Sequence, residues 1–190
     1  LPWMKTVAIV GGGPAGLAVA IAARMRGLRA GVFEKQRPLI DKACGEGLMP
    51  GGVDALARLG VAIPEQASMP FYGLQLVTDT LHGPLTVAAP FGRGQHGLGI
   101  RRTVLHRALV QRAESLGADL RWGVAGVALD QGKLITTEGT LDADWIVGAD
   151  GLHSRVRRWI DAAEPGFSHK RYGLRRHYRI TPWTTHVEVH

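Results

Sequence analysis

The residues with the clearest chemical use are three glycines. In the run Val7-Ala8-Ile9-Val10-Gly11-Gly12-Gly13-Pro14-Ala15-Gly16, Gly11, Gly13 and Gly16 stand at G-x-G-x-x-G spacing. That spacing has meaning only between a strand and a helix, where the turn brings backbone N–H groups and a helix N-terminus to one anion. Gly11 permits the tight turn, Gly13 has no side chain to hold a pyrophosphate off the backbone, and Gly16 lets helix and strand pack closely. Pro14 suits a first helical turn, where its missing N–H is no loss. An acid follows at Glu34, eighteen residues beyond Gly16, where a carboxylate can accept bonds from both ribose hydroxyls of an adenosine. A carboxylate there disfavours a 2′-phosphate, so the expected ligand is FAD or NAD rather than NADP.

The elements that must position these residues are legible around them. Thr6 to Val10 has the composition of a buried strand, an alanine-rich helix runs from Pro14 to near Gly27, and Arg29 to Phe33 forms the next strand. The eighteen residues from Thr6 to Ala23 carry no charge. That length touches the lower limit of a membrane span, and with Lys5 ahead it imitates a signal peptide. The Gly-Gly-Gly-Pro break splits it into two short elements, which favours strand, turn and helix. A short helix is expected around Val53 to Leu59, and a hairpin from Phe71 to Val77 and Leu85 to Ala89. A longer helix is expected from Arg102 to about Leu116, with Val104, Leu105, Ala108 and Leu109 at helical spacing. Strands follow at Asp119 to Trp122, Val124 to Leu129 and Lys133 to Thr137. Then come a buried strand near Val147, an acidic turn at Asp150-Gly151 and a helix capped by Ser154. Tyr172 to Ile180 and Thr184 to His190 read as further strands.

Composition bounds the classes. With 190 residues and 45% hydrophobic content, the chain suits one compact domain or slightly more and excludes disorder and low-complexity repeats. Its single cysteine, Cys44, cannot form an internal disulfide, which points to a reducing, cytoplasmic setting. Twenty-three Lys and Arg against sixteen Asp and Glu give a net charge of +7. Eight of the bases fall between Arg155 and Arg179, where the acids are Asp161 and Glu164. Such a cluster can meet nucleic acid or an anionic membrane. No nucleic-acid module accompanies it, so the plainer partners are an anionic cofactor or acids elsewhere. Arg171, Arg175 and Arg176 suit either a solvated face or an anionic group. The expectation is a small organic substrate, without nucleic acid or an integral membrane segment.

Three features in order, the glycine turn with Glu34, the Arg-x-x-Leu helix opening at Arg102, and the segment Gly148-Ala149-Asp150-Gly151-Leu152-His153-Ser154-Arg155-Val156-Arg157, resemble the para-hydroxybenzoate-hydroxylase-like flavoprotein superfamily. Its relatives include aromatic monooxygenases, flavin halogenases and geranylgeranyl reductases. The resemblance implies a Rossmann-like, three-layer α/β FAD-binding domain of the glutathione-reductase type over residues 4–160. A β insertion at 68–97 would lie toward the substrate side, and 165–190 would begin a substrate-domain sheet. It also implies FAD as cofactor and NAD(P)H as reductant, with hydroxylation of a small organic molecule through a flavin C4a-hydroperoxide. A reductase or halogenase of the same superfamily, and a non-catalytic NAD- or FAD-binding module, are the alternatives. The family's third signature, a Gly-Asp turn further on, is absent, so the chain reads as a fragment of a longer enzyme.

Within that resemblance, Arg102 reaches the phosphate and ribityl region, and Val124 offers its backbone to the adenine. The loop Lys42-Ala43-Cys44-Gly45-Glu46-Gly47-Leu48 lies near the pyrophosphate or ring, unless it is a surface loop with a buried, unreactive cysteine. The cofactor-binding set is then Gly11, Gly13, Pro14, Ala15, Gly16, Glu34, Lys35, Cys44, Gly45, Arg102, Val124, Asp150 and Gly151. No acid–base residue is named as catalytic, because the flavin carries the chemistry. His186, Glu188 and His190 would share a strand face. Two histidines and a carboxylate can ligate iron, but a polar outer strand face gives the same pattern, and no metal is expected.

Overall fold

The computed structural model describes residues 4–162 and 172–190. Leu1-Pro2-Trp3 and Arg171 lie outside them. In chain order the elements are β1 (Thr6–Val10), α1 (Pro14–Met25), β2 (Arg29–Glu34), β3 (Gly47–Leu48), α2 (Pro50–Leu59), β4 (Ser68–Phe71), β5 (Gly73–Thr80), β6 (Gly83–Pro90) and β7 (Gly97–Ile100). They continue as α3 (Arg102–Ser115), β8 (Asp119–Trp122), β9 (Gly126–Asp130), β10 (Lys133–Thr136), β11 (Gly139–Leu141), β12 (Trp145–Gly148), α4 (Arg155–Trp159) and β13 (Val187–Val189). The chain divides into two compact units, Leu1–Asp41 with Leu105–Tyr172, and Lys42–Val104 with Gly173–His190.

In the first unit a parallel sheet runs in the order β12-β1-β2-β8. β1 is central and apolar on both faces, as a strand covered on both sides must be. Val7 and Ile9 pack with Ala20 and Ala23 of α1 and with Ala30 and Val32. The alternate residues Ala8 and Val10 pack with Phe33, Val124, Leu134 and Val156 on the other face. The period of two thus makes three layers: α1, the parallel sheet, and the antiparallel sheet β11-β10-β9 with α4. Ile9 is fully buried, and its truncation to alanine in such a core costs about 2–5 kcal/mol.

Local chemistry ends the elements. α1 stops where Gly27 takes φ +75°. The Leu28 N–H reaches back to the Ala23 carbonyl and the Gly27 N–H to that of Arg24, which satisfies the helix's last carbonyls. Arg24 then donates Nε to the Leu116 carbonyl just past α3, at 2.7 Å. The Asp144 carboxylate accepts from the Thr6 N–H at 2.6 Å and from its hydroxyl at 3.1 Å, tying β1 to the segment before β12 across 138 residues. Those Thr6 bonds hold its carboxyl below the ordinary range.

The second unit contains two small sheets, β3-β7-β4 and β13-β5-β6, with α2. The β5–β6 hairpin is close to the one expected, although β6 is exposed along its whole length. Two expectations need correction. Tyr172 to Ile180 forms no strand. Its alternation is present, but apolar Tyr172, Leu174, Tyr178 and Ile180 are exposed, while Arg175 and His177 between them turn to Glu46. Of Thr184 to His190, only β13 is a strand, pairing parallel to β5. No helix among the described residues is long and apolar enough to cross a membrane.

Candidate functional site

Gly11 leaves β1 at φ +111°, and a Cβ there would lie 2.4 Å from the Ala149 carbonyl oxygen. Only glycine fits that turn, and the Ala149–Asp150 peptide is what crowds it. At Gly16 a Cβ would lie 1.9 Å from the Gly11 oxygen, so α1 folds back directly over the turn. Gly13 is the N-cap of α1 and Pro14 its first residue, while Ala15 is exposed. No side chain caps this helix, and its first turn holds no acid. Among the described residues, its leading N–H groups and positive dipole end therefore have no capping side chain and no acid in the first turn, which leaves them open to an incoming phosphate.

Glu34 closes the turn from the end of β2. Its Oε2 accepts from the Gly12 N–H and its Oε1 from the Gln36 N–H, both at 2.9 Å. An ionised carboxylate offers about four acceptor positions, which leaves capacity for ribose hydroxyls. The Glu34 carbonyl accepts from Gly123 and Val124 N–H at 2.7 and 3.1 Å. Val124 is buried; with its N–H directed at Glu34, the backbone group it can offer a base is its carbonyl. Gly11, Gly13, Pro14, Gly16, Glu34 and Val124 are thus gathered in one unit, together with the Asp150 turn. Lys35 is exposed.

Asp150 is engaged by its own helix. Its carboxylate accepts from the Ser154 hydroxyl at 2.5 Å, the Arg155 N–H at 2.6 Å and the Val156 N–H at 3.3 Å. Burial pushes this carboxyl up, and these three donors outweigh it, holding it below the ordinary range. Ser154 caps α4 as expected, accepting from the Arg157 N–H. Gly151, at φ +87°, has open space around it.

The second unit holds Cys44, Gly45 and Arg102. Cys44 is exposed and Gly45 lies in open space. Glu46 between the two loop glycines was not foreseen as a centre. Its carboxylate accepts from the Arg102 N–H at 2.7 Å, Arg175 Nη1 at 3.0 Å and His177 Nε2 at 2.6 Å. His177 Nδ1 lies 2.6 Å from Arg101 Nη1. A guanidinium only donates, so Nδ1 accepts and Nε2 carries the hydrogen. Burial raises the Glu46 carboxyl, but the Arg102 N–H, the His177 bond and the Arg175 charge hold it below the ordinary range. The Arg102 Nε is buried without a hydrogen-bond partner among the described residues, a donor suited to an anionic or polar ligand.

His106 was also missed. It is fully buried in α3, its Nε2 2.9 Å from the Gly12 carbonyl, its ring tilted against Trp122. The buried residues of α3 are His106, Ala108, Leu109, Val110 and Ala113, so of the four residues expected at helical spacing Ala108 and Leu109 are buried, whereas Val104 and Leu105 are half-buried. A histidine inside an otherwise apolar helix face is the signal that would have found it. Near the end of the chain, Glu188 accepts from Trp183 Nε1 at 3.0 Å and Gln75 Nε2 at 3.4 Å, with His190 3.7 Å away. Among the described residues no group of His, Cys, Asp and Glu is arranged to hold a metal ion.

A three-layer α/β unit with an uncapped glycine turn and an acid on it defines a dinucleotide-binding protein. Residues 4–175 match the family described as FAD binding domain, and the chain belongs to that family. It is similar to the 3-amino-4-hydroxybenzoate 2-monooxygenase of Streptomyces cremeus, 33% identical over 175 residues, covering 85% of this chain and 43% of the relative. It is also similar to the FAD-dependent monooxygenase OpS4 of Beauveria bassiana, 32% identical over 166 residues, covering 78% and 38%. Among solved structures, the tetrameric form of 2-methyl-3-hydroxypyridine-5-carboxylic acid oxygenase is similar, with TM-score 0.73 and 33% identity over 83% of this chain and 42% of that one. The flavin-dependent halogenase CmlS, at 22% identity and TM-score 0.72, shares the fold. The chain thus spans about two fifths of the length of these relatives.

Proposed function

We propose that this chain is the FAD-holding part of a monooxygenase that takes electrons from NAD(P)H and hydroxylates a small organic molecule. The observation that carries this reading is the glycine turn, with α1 uncapped behind it and Glu34 bonded to the Gly12 N–H. The relatives, one named a monooxygenase and one an oxygenase, support it, and their names suggest an aromatic or heteroaromatic ring as the substrate class. Bound FAD would supply the redox chemistry and the activation of oxygen. The protein's share is binding and orientation. Glu34 would accept the ribose hydroxyls, the Gly11–Gly13 turn and the start of α1 would hold the pyrophosphate, and the Val124 carbonyl would meet the adenine. Arg102, with its buried Nε–H, keeps the cofactor role implied by resemblance, as do Cys44, Gly45, Lys35, Asp150 and Gly151.

The test is the visible spectrum of the purified full-length protein, before and after added FAD. Flavin bands that stay with the protein through gel filtration, and NAD(P)H oxidation stimulated by a hydroxylated aromatic acid with oxygen incorporated into product, are the expected results. A protein that binds NAD and does not retain FAD overturns the cofactor reading. Substrate reduction without oxygen uptake overturns the monooxygenase. Glu34→Ala should weaken FAD binding about tenfold or more, the loss of a charge-assisted contact; unchanged affinity removes the ribose assignment.

A further inference from the structure

The two peptides that meet at Gly12 are gripped from both sides. The Gly12 N–H donates to Glu34 Oε2, and the Gly12 carbonyl lies 2.9 Å from His106 Nε2. A carbonyl oxygen only accepts, so Nε2 carries the hydrogen and the ring's tautomer is fixed. Trp122 steadies the arrangement: its ring centroid lies 5.8 Å from that of His106, and its Cζ3 lies 2.6 Å from where a Gly12 Cβ would stand. All four residues belong to the first unit.

The peptide between Gly12 and Gly13 has no Cβ on either side, so its plane can turn over at little steric cost. Such a flip would reverse the direction of the Gly13 N–H. In a trans peptide the C=O and the next N–H point to opposite sides. Holding the Gly12 carbonyl against His106 therefore aims the Gly13 N–H away from the ring. A buried histidine at this helix position is otherwise a poor choice, because an apolar side chain would fill the space without a polar group to satisfy.

We infer that His106 is a positioning residue, whose Nε2–H locks the Gly12–Gly13 peptide in the orientation that presents the Gly13 N–H to the pyrophosphate. This deepens the cofactor reading above and rests on it. The residue touches neither the phosphates nor the reacting atoms in this role. It acts through one peptide plane, so its effect should fall on ligands with a diphosphate and spare those without one.

The experiment is calorimetric titration of the cofactor-stripped full-length protein with ADP and with adenosine. His106→Asn and His106→Leu remove a donor at the Nε2 position, and ADP affinity should fall about tenfold while adenosine affinity changes less than twofold. His106→Gln carries an amide nitrogen as far out as Nε2, and should restore ADP affinity to within about threefold of wild type. Equal losses for ADP and adenosine, or unchanged ADP affinity in His106→Asn, overturn the proposal. Should the variants not fold, the wild-type protein decides. The 15N-resolved Gly13 amide proton should move downfield and gain exchange protection with ADP and not with adenosine; an unmoved Gly13 resonance overturns the role. A wild-type protein that binds neither ADP nor FAD overturns the cofactor reading itself, and this inference with it.

Discussion

Replacing Glu46 with alanine should lower unfolding free energy by about 2–4 kcal/mol. The magnitude follows from its three partners. A hydrogen bond to a charged group contributes about 1.5–3 kcal/mol when its partner cannot be rehydrated. The Arg102 N–H, at the start of α3, fits that case, and loss of such an acceptor at a helix start costs about 1–2 kcal/mol. Arg175 and His177 are less confined, with side chains 20% and 33% exposed against 13% for Glu46. Both can return to water, so each bond counts nearer the 0.5–1 kcal/mol of a surface pair. Glu46→Gln keeps an acceptor for the Arg102 N–H and should lose about half as much. Urea unfolding followed by far-ultraviolet circular dichroism at pH 7 measures both. A pH series adds a second check. The folded Glu46 carboxyl lies below its unfolded value of about 4.3, so its contribution is complete above that value and disappears as pH falls through the folded pKa. The gap between wild type and Glu46→Ala should be constant above about pH 5 and narrow below about pH 4. A difference under about 0.5 kcal/mol at pH 7, or a gap that stays open in acid, would refute the reasoning.

Other outcomes follow from single contacts. Gly16→Ala places a Cβ 1.9 Å from the Gly11 oxygen; it should cost about 3 kcal/mol or more and abolish flavin retention, and a wild-type melting temperature would contradict the packing described. Asp150→Ala removes three acceptor contacts around α4 and should cost about 1–2 kcal/mol at pH 7. Because the folded carboxyl sits below its unfolded value, near 3.9, that loss should shrink as pH falls below about 4, as thermal melts at pH 7 and pH 3 would show. Cys44 is exposed, so one thiol should react with a disulfide reagent in the native protein. If Cys44 borders the cofactor, added FAD will slow that reaction; an unchanged rate removes it from the cofactor set.

Where a backbone rule is strict, the sequence was enough. Thr6–Val10 matched its strand because five apolar or β-branched residues followed by glycines leave few options. Gly11 and Gly16 were identified by the same sterics that the structure displays. Side-chain partners across long separations were not legible. Glu46 reads as one acid in a polar loop until Arg175 and His177, about 130 residues on, are brought to it. Asp150 was expected at the cofactor on resemblance, and its own helix engages its carboxylate. His106 was hidden because a helical stripe centred on Leu105 predicts the same element as one centred on His106. Tyr172 to Ile180 shows the converse: alternation without a neighbouring strand to pair with produces no strand.

The order in which the chain visits its two units has a consequence for biosynthesis. The path runs first unit, second, first, second, changing after Asp41, Val104 and Tyr172. β1 ends at Val10, yet one of its two neighbours, β12, starts only at Trp145 and is synthesised long after it. At elongation rates of about 5–20 residues per second, the central strand waits roughly 7–30 s with one edge unpaired. Fragment-based work inherits the same constraint. No single continuous cut yields either unit, so an isolated dinucleotide-binding half would have to be spliced from two stretches across a designed linker.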